Sequence, residues 1–305
     1  MMLAAQKRGW TLYYMRQEDL AFSDGEVVAN LSRVSVIDRD ADWFALYETP
    51  PMALADLDVI LMRTDPPFDM EYIYTTYLLE LAEQQGSLIV NRPAALRDIN
   101  EKFSTTWFPD CCPEYIVTRD PDEVRRFLAR MHDIVIKPLD GMGGESIFRI
   151  REGDPNTGVI LETLLGKSNQ EKTAIAQRFL PEYKQGDKRI LMIDGQPVPY
   201  ALARIPAEGE GRANLAAGGT GVGVELTERD REICARLAPE LRRRGVLFAG
   251  IDVIGDYLTE INITSPTCIR ELDAQYGLDI AGDLMDTLET VIQHKKADVE
   301  SPSVQ

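Results

Sequence analysis

The chain has 305 residues and a formal charge of −17, so its overall field opposes nucleic acid and anionic membranes as partners. Only two histidines, His132 and His294, and four cysteines are present, with Cys111 and Cys112 adjacent and Cys234 and Cys268 isolated; this leaves no histidine triad, zinc cluster or disulfide framework. Without an 18-residue apolar run or a secretory pattern at the front, the expected location is the cytoplasm, and the length predicts two or three domains.

Residues 1–9 read as a helix stopped by Gly9 and followed by the strand TLYYM. Further on, LADLDVILMR is a buried strand, Glu71 to Gln85 a helix ended by Gly86, and SLIVN another strand. This alternation predicts a mostly parallel sheet with helices on its faces over residues 1–99. Asn91 is a candidate cap for the next helix, with Pro93 in its first turn and Asn100, Glu101 and Lys102 carried on it.

The texture changes near residue 100. YIVT, a helix from Pro121 to Met131, DIVIKP, the loop LDGMGG and ESIFRI follow, then a helix over 159–165 and the strand IAQRFL, together a small α+β unit over 100–181. Lys137 ends an apolar strand directly before the glycine-rich tip. Its ammonium could neutralise phosphates held by the amides of Gly141, Gly143 and Gly144, and an ordinary strand-end lysine is the competing reading.

From residue 182 to 297 a larger unit is expected. DKRILMIDGQPVPYALARI reads as a hairpin around Asp194 and Gly195, and Arg189, Arg204 and Arg212 offer guanidinium forks suited to carboxylate or phosphoryl oxygens. Residues 206–223 hold six glycines, which predicts a mobile lid. A helix over 227–244 leads to AGIDVIGDYLTEINITSPTCIR, a last helix spans 280–293, and residues 298–305 are expected to be a disordered tail.

That penultimate stretch carries the most chemistry. Two β-prone runs flank Gly255, Asp256 and Tyr257; a three-residue loop places Asp252 opposite Glu260, with Asn262 on the same face. Ile251, Val253, Thr259, Ile261 and Ile263 then form the apolar face, whereas a two-residue loop would divide the acids between faces. Two carboxylates and a carboxamide on one side of a rigid hairpin suit Mg²⁺, with Mn²⁺ as an alternative, and solvated surface acids are the other reading. No GxxxxGK[ST] or dinucleotide fingerprint is present, so any phosphate grip must be of a different kind.

Taken together, MRTDPPFDMEYIY at 62–74, NRPAALRDINEK at 91–102, IKPLDGMGGESIFR at 136–149, GDKRILMIDGQPVPYALARIP at 186–206, RANLAAGG at 212–219 and DVIGDYLTEINITSPTCIRE at 252–271 resemble the ATP-grasp superfamily. Within it, the chain resembles the bacterial glutathione synthetase family over nearly its whole length. The resemblance implies an α/β and α+β architecture, two α+β units clasping ATP behind an N-terminal parallel-sheet domain. It also implies ligation of γ-L-glutamyl-L-cysteine to glycine with ATP as co-substrate, and a homo-oligomer. Lys102 and Lys137 match phosphate-binding lysines; Gln177, Arg178, Phe179 and Leu180 match the adenine hinge, and Asp187 lines the nucleotide pocket. Asp252, Glu260 and Asn262 match metal ligands. Arg189, Arg204 and Arg212 match positions around the transferred phosphoryl and dipeptide, and Asn214, Ser265, Pro266 and Thr267 fall in substrate-side loops. Family members begin with one more strand before the helix at Met1, so the resemblance also implies an N-terminal sheet without its first strand. Other carboxylate–amine ligases of this superfamily, and a non-catalytic ATP-binding protein, share the same ATP machinery.

Overall fold

The computed structural model describes residues 1–65, 67–141, 145–166, 171–207 and 218–300, with residues 298–300 described by backbone only. In chain order the N-terminal part contains α1 (Met2–Lys7), β1 (Leu12–Tyr14), β2 (Leu20–Ser23), β3 (Glu26–Ala29), β4 (Ser32–Val36), β5 (Phe44–Glu48), β6 (Met52–Ala53), β7 (Val59–Leu61), α2 (Met70–Gln84), β8 (Leu88–Val90) and α3 (Pro93–Asp98). Only β7 and β8 pair in parallel; β1–β4–β5 and β2–β3–β6 are antiparallel sheets. The expectation of a mostly parallel sheet therefore holds for a single strand pair. Between residues 16 and 53 no α-helix carries the chain back for parallel pairing, and β2–β3 and β4–β5 join directly as antiparallel hairpins.

The central unit consists of β9 (Tyr115–Thr118), α4 (Pro121–Met131), β10 (Asp133–Pro138), β11 (Phe148–Arg151), α5 (Thr157–Leu165) and β12 (Ala174–Arg178). Its antiparallel sheet, in the order β11–β10–β12–β9, buries Ile134, Ile136, Ile150, Ala174 and Ala176 against Val124, Phe127, Leu161 and Leu165 of the two helices. Strand alternation then turns Lys137 to the opposite face, and Gln177 with it, since Gln177 lies across from Val135 and Lys137 across from Ile175.

The C-terminal unit contains β13 (Asp187–Ile193), β14 (Gln196–Pro197), β15 (Tyr200–Ile205), β16 (Thr220–Glu225), α6 (Glu228–Arg243), β17 (Phe248–Ile254), β18 (Tyr257–Asn262), α7 (Ile269–Tyr276) and α8 (Ile280–Glu300). Asp194 and Gly195 both adopt positive φ, 45° and 69°, as a tight two-residue hairpin turn demands. The sheet order is β16–β15–β13–β17–β18, with β14 beside β13. Both faces are covered. Ile190, Met192, Ile251 and Val253 pack with Ile233, Leu237 and Leu241 of α6, while Leu191, Ile193, Leu202 and Phe248 pack with Leu272, Leu284 and Leu288.

N-terminal side chains such as Val27, Leu54, Tyr72 and Leu96 join the first of these two large clusters, and so do Phe108, Cys111 and Cys112. Residues 103–112 thus pack with the large body, and the unit with a core of its own begins at β9. Two further boundaries differ from the sequence reading. Thr220–Gly223, expected in the lid, belong to β16 and pair with Leu202–Ile205, whereas residues 208–217 lie outside the described residues. Helix α8 runs to Glu300, past the expected end at 293, and beyond that point Lys295 Nζ donates to the Ser87 carbonyl at 2.9 Å and Lys296 Nζ to Asp58 Oδ1 at 2.8 Å; residues 301–305 lie outside the described residues.

Asn91 does not cap α3, whose N-cap is Arg92. Its buried carboxamide instead donates to the carbonyls of Phe248 (2.7 Å) and Ile263 (2.6 Å) and accepts from the amides of Leu247 (2.9 Å) and Phe248 (3.0 Å). One side chain therefore satisfies four main-chain groups beside β17 and β18. Asn91→Ala is expected to lower unfolding free energy by about 3 kcal/mol, since buried amides and carbonyls lose partners with no water to replace them. Urea denaturation followed by circular dichroism checks this; a loss below about 1 kcal/mol would contradict it.

Candidate active site

The hairpin β17–β18 turns at Gly255 and Asp256, with Gly255 at φ 58° and Ile254 opposite Tyr257. The loop therefore has two residues, not three. Asp252 nevertheless lies opposite Glu260, because a bulge at Thr259 shifts the register between Val253–Leu258 and Asp252–Glu260. Leu258, not Thr259, completes the apolar face with Ile251, Val253, Ile261 and Ile263. Thr259 Oγ1 donates to the Asp252 carbonyl at 3.1 Å, which uses the extra residue to brace the bulge.

Asp252 is 2% exposed and sits against two cations. Arg189, directly across on β13, contacts both carboxylate oxygens, with Nη2 at 2.9 Å from Oδ2, and Arg204 Nη2 reaches the same oxygen at 2.9 Å. Arg204 also contacts Asp187 Oδ2 at 2.6 Å. Burial alone would raise the Asp252 carboxyl, but Arg189 and Arg204 outweigh it and hold it below the usual carboxylate range. Asp187 goes the other way: burial pushes it up to about 6 against the pull of Arg204. Its Oδ1 is buried without a partner, and so is Gln177 Nε2 across the cleft on β12.

Lys137 Nζ lies 3.8 Å from Glu260 Oε1, so this lysine of the small sheet faces the acidic hairpin of the large one. Lys102 is not on α3, which ends at Asp98; Asn100 turns the chain by accepting from the amides of Lys102 (3.1 Å) and Phe103 (2.8 Å). That turn buries Lys102, whose ammonium pairs with Glu101 and donates to the Gly141 carbonyl at 2.9 Å. Asn100 Nδ2 adds a bond to the Leu139 carbonyl at 2.9 Å, so the base of the glycine-rich tip is tied to the large body twice. The Glu101 carboxyl is raised to about 7 by burial and by Glu260, with Lys102 opposing.

The Asn262 amide, oriented to match its neighbours, donates to Glu101 Oε2 at 3.2 Å and accepts from Arg189 Nη2 at 3.2 Å. Lys102, Lys137, Gly141, Asp187, Arg189, Arg204, Asp252, Glu260 and Asn262 are thus linked into one cluster by the contacts described. Gln177 lines the same face of the small sheet as Lys137. Arg178 lies to the side, paired with Glu114 and 5.1 Å from the Tyr257 ring centroid, while Phe179 lies under the Arg149 guanidinium. Leu180 is buried. Gly143, Gly144, Arg212 and Asn214 lie outside the described residues.

On the far side of Gly250, Ser265 Oγ contacts Asp65, and the Pro266 carbonyl accepts from Arg63 Nη2 at 2.9 Å; Thr267 Oγ1 lies 3.8 Å from Cys268 Sγ. Arg63 and Glu101 were missed as site residues in the sequence. Arg63 sits just past a strand end and Glu101 beside a lysine, patterns too common to single out without knowing what folds against them.

Hard oxygen donors fit a divalent cation here, but unequally. Among the described residues no group of three or more acidic, histidine or cysteine side chains gathers as a metal cluster. Asp252 already gives both oxygens to guanidinium groups, whereas Glu260 has one long ion pair and its side chain is 20% exposed. Glu260 and the Asn262 oxygen fit best, with Asp252 sharing its lone pairs.

Two α+β units that face charged residues across a cleft define the ATP-grasp class of ligases. Solved structures agree in fold: an ATP-grasp ligase, PsnB, complexed with precursor peptide and AMPPNP has a TM-score of 0.62 at 19% identity, covering 96% of this chain and 93% of that one. The D-cycloserine synthetase DcsG has a TM-score of 0.60 at 15% identity, covering 78% and 85%. Residues 101–277 match the prokaryotic glutathione synthetase ATP-grasp domain and residues 1–97 the N-terminal domain of the same family. Glutathione synthetase of Pseudomonas putida is 59% identical over 95% of this chain and 90% of that protein, and that of Escherichia coli K12 is 52% identical over 97% and 93%. The chain belongs to the prokaryotic glutathione synthetase family.

Gly250 makes the arginine cluster possible. A Cβ there would lie 2.8 Å from Arg189 Cδ and 2.8 Å from Pro266 Cβ, so Gly250→Ala must displace one of them. The expected result is a stability loss of about 1–3 kcal/mol together with at least a tenfold fall in turnover. Thermal melting and steady-state assay check the two parts; an unchanged turnover would show that the placement of Arg189 is unimportant.

Proposed function

We propose that this chain joins γ-L-glutamyl-L-cysteine to glycine, with ATP cleaved to ADP and phosphate, in the cytoplasm. The observation that carries the reading is the approach of Lys137 to Glu260 across the cleft, with Lys102, Arg189 and Arg204 gathered beside them. In an otherwise strongly acidic protein, four cations brought to one place suit a polyphosphate.

A carboxylate does not react with an amine at neutral pH. The γ-phosphoryl of ATP therefore passes first to the cysteinyl carboxylate, giving an acyl phosphate and ADP; the glycine amine then attacks the carbonyl carbon, phosphate leaves and the amide forms. Such transfer depends chiefly on positioning and charge neutralisation, so a site without histidine suffices. Mg²⁺ (or Mn²⁺), when bound, would neutralise phosphate charge from Glu260, Asn262 and the shared oxygens of Asp252.

The chain's own groups do the rest. Lys102, Lys137 and the glycines Gly141, Gly143 and Gly144 bind the phosphates, and the 177–180 strand end meets adenine. Asp187 Oδ1 and Gln177 Nε2, both buried and unpartnered, offer an acceptor and a donor to the nucleotide. Arg189 and Arg204, with Arg212, stabilise the transferring group; Asn214 and Ser265–Thr267 hold the dipeptide. Arg63, whose Nη1 is buried without a partner beside Pro266, suits a substrate carboxylate. Assembly as a homo-oligomer belongs to the same reading.

Release of ADP is expected only when γ-glutamylcysteine and glycine are both present; equal turnover with either omitted would reject the assignment. Glu260→Ala is expected to lower kcat about 100-fold or more while melting temperature changes little, since its side chain is partly exposed and makes only one long ion pair. A variant with parental kcat would remove Glu260 from the reaction.

A further inference from the structure

A carboxamide that serves a hard cation must present oxygen, yet its two ends are nearly the same size and exchange by a half-turn. Something has to choose. At Asn262 the choice is made from two sides, by the Arg189 guanidinium and by a residue from a different part of the chain, 161 positions earlier. Glu101 Oε2 accepts from Asn262 Nδ2 at 3.2 Å, which leaves the Asn262 oxygen turned toward Arg189 and the Asp252 side of the hairpin. The other oxygen of Glu101 pairs with the Lys102 ammonium, and the Glu101 carbonyl accepts from the Ile261 amide at 2.8 Å, fixing the main chain against β18. One carboxylate thus touches both a phosphate-type lysine and a metal-type amide.

We propose that Glu101 is a positioning residue that fixes the oxygen face of Asn262 toward the divalent cation, an inference that rests on the ATP-site reading above. Paired with the Lys102 ammonium, the Glu101 carboxylate acts as an acceptor; the reversed amide, donating only to Asp252 Oδ2 at 3.4 Å, would set its oxygen against Glu101 Oε2 and its nitrogen against Arg189 Nη2. The pairing with Lys102 holds the carboxylate in place from the other side. When phosphate arrives at Lys102, the bond to Asn262 can persist, because the two contacts use different oxygens of Glu101.

The test uses the purified full chain with ADP and Mn²⁺ as probes. Free Mn²⁺ is read by electron paramagnetic resonance, and ADP binding in EDTA is read by calorimetry. Glu101→Ala is expected to weaken Mn²⁺ binding in the presence of ADP about tenfold or more, the usual scale for partners that orient a metal ligand. Metal-free ADP binding should not fall, since Lys102 keeps its ammonium and loses a competing anion. On an Asn262→Asp background, where both distal atoms are oxygen and no face need be chosen, the same Glu101→Ala change should cost no Mn²⁺ affinity.

An equal Mn²⁺ loss in both backgrounds, parental Mn²⁺ binding in Glu101→Ala, or a parallel fall of metal-free ADP binding and melting temperature would each overturn the orienting role. Failure of the unsubstituted chain to bind Mn²⁺ with ADP would instead overturn the ATP-site reading, and this role with it.

Discussion

The structure turns on a buried knot of charge, Arg189 and Arg204 clasping Asp252, with Asp187 sharing Arg204. Taking such ions out of water is costly, and a well-packed apolar set would stabilise the sheet as well or better. Stability therefore does not explain their presence. What the knot provides is a pair of guanidinium groups held rigidly, pointing along one face of β13 and β15 toward the hairpin. A cation on a flexible surface side chain would have to be ordered anew each time it met a ligand; here the ordering cost falls on folding. Gly250 belongs to the same arrangement, since any larger side chain would occupy the path of the Arg189 stem.

The two units differ in how they are held, and the difference suits a clasp. The large sheet is covered on both faces and shares a core with the N-terminal segment, whereas the small sheet has a separate core closed by α4 and α5. Between them run polar links: Lys137 to Glu260, Lys102 to the Gly141 carbonyl, and Asn100 to the Leu139 carbonyl. Polar links across a cleft can be exchanged for ligand contacts at little net cost, while an apolar seam would have to be broken outright.

Much of this was legible in the sequence, although not always for the right reason. The α4 and β10 boundaries, the turn at Asp194 and Gly195 and the pairing of Asp252 with Glu260 follow from local pattern, because each depends on neighbours within about ten residues. The last was reached through a three-residue loop that does not exist. The real hairpin is tighter and regains the register with a bulge at Thr259, which period-two counting cannot anticipate. Asn91 and Lys102 were misplaced for a related reason. Capping and helix rules describe what a residue does within its own segment, yet Asn91 serves β17 and β18, and Lys102 serves the glycine-rich tip. The antiparallel N-terminal hairpins were missed because their strands are short and flanked by polar turns, with little periodic signal.

The same distinction explains why Glu101 carries no signal of its own. Read locally, Glu-Lys is an ordinary polar pair on the surface of a turn. In the fold, its main chain is anchored by Ile261 and its side chain lies between a lysine and an amide that come from opposite ends of the ATP-grasp region. A residue that acts by orienting another has no required spacing to its partner in sequence, so motif logic finds ligands and overlooks what aims them. The carboxylates and the amide in β17 and β18 are tied by hairpin geometry and appear as a pattern; the contact of Glu101 with Asn262 is fixed only by tertiary packing. Sites of this kind are therefore read in two passes, first for the groups that bind and then for the buried acceptors that leave those groups only one useful orientation.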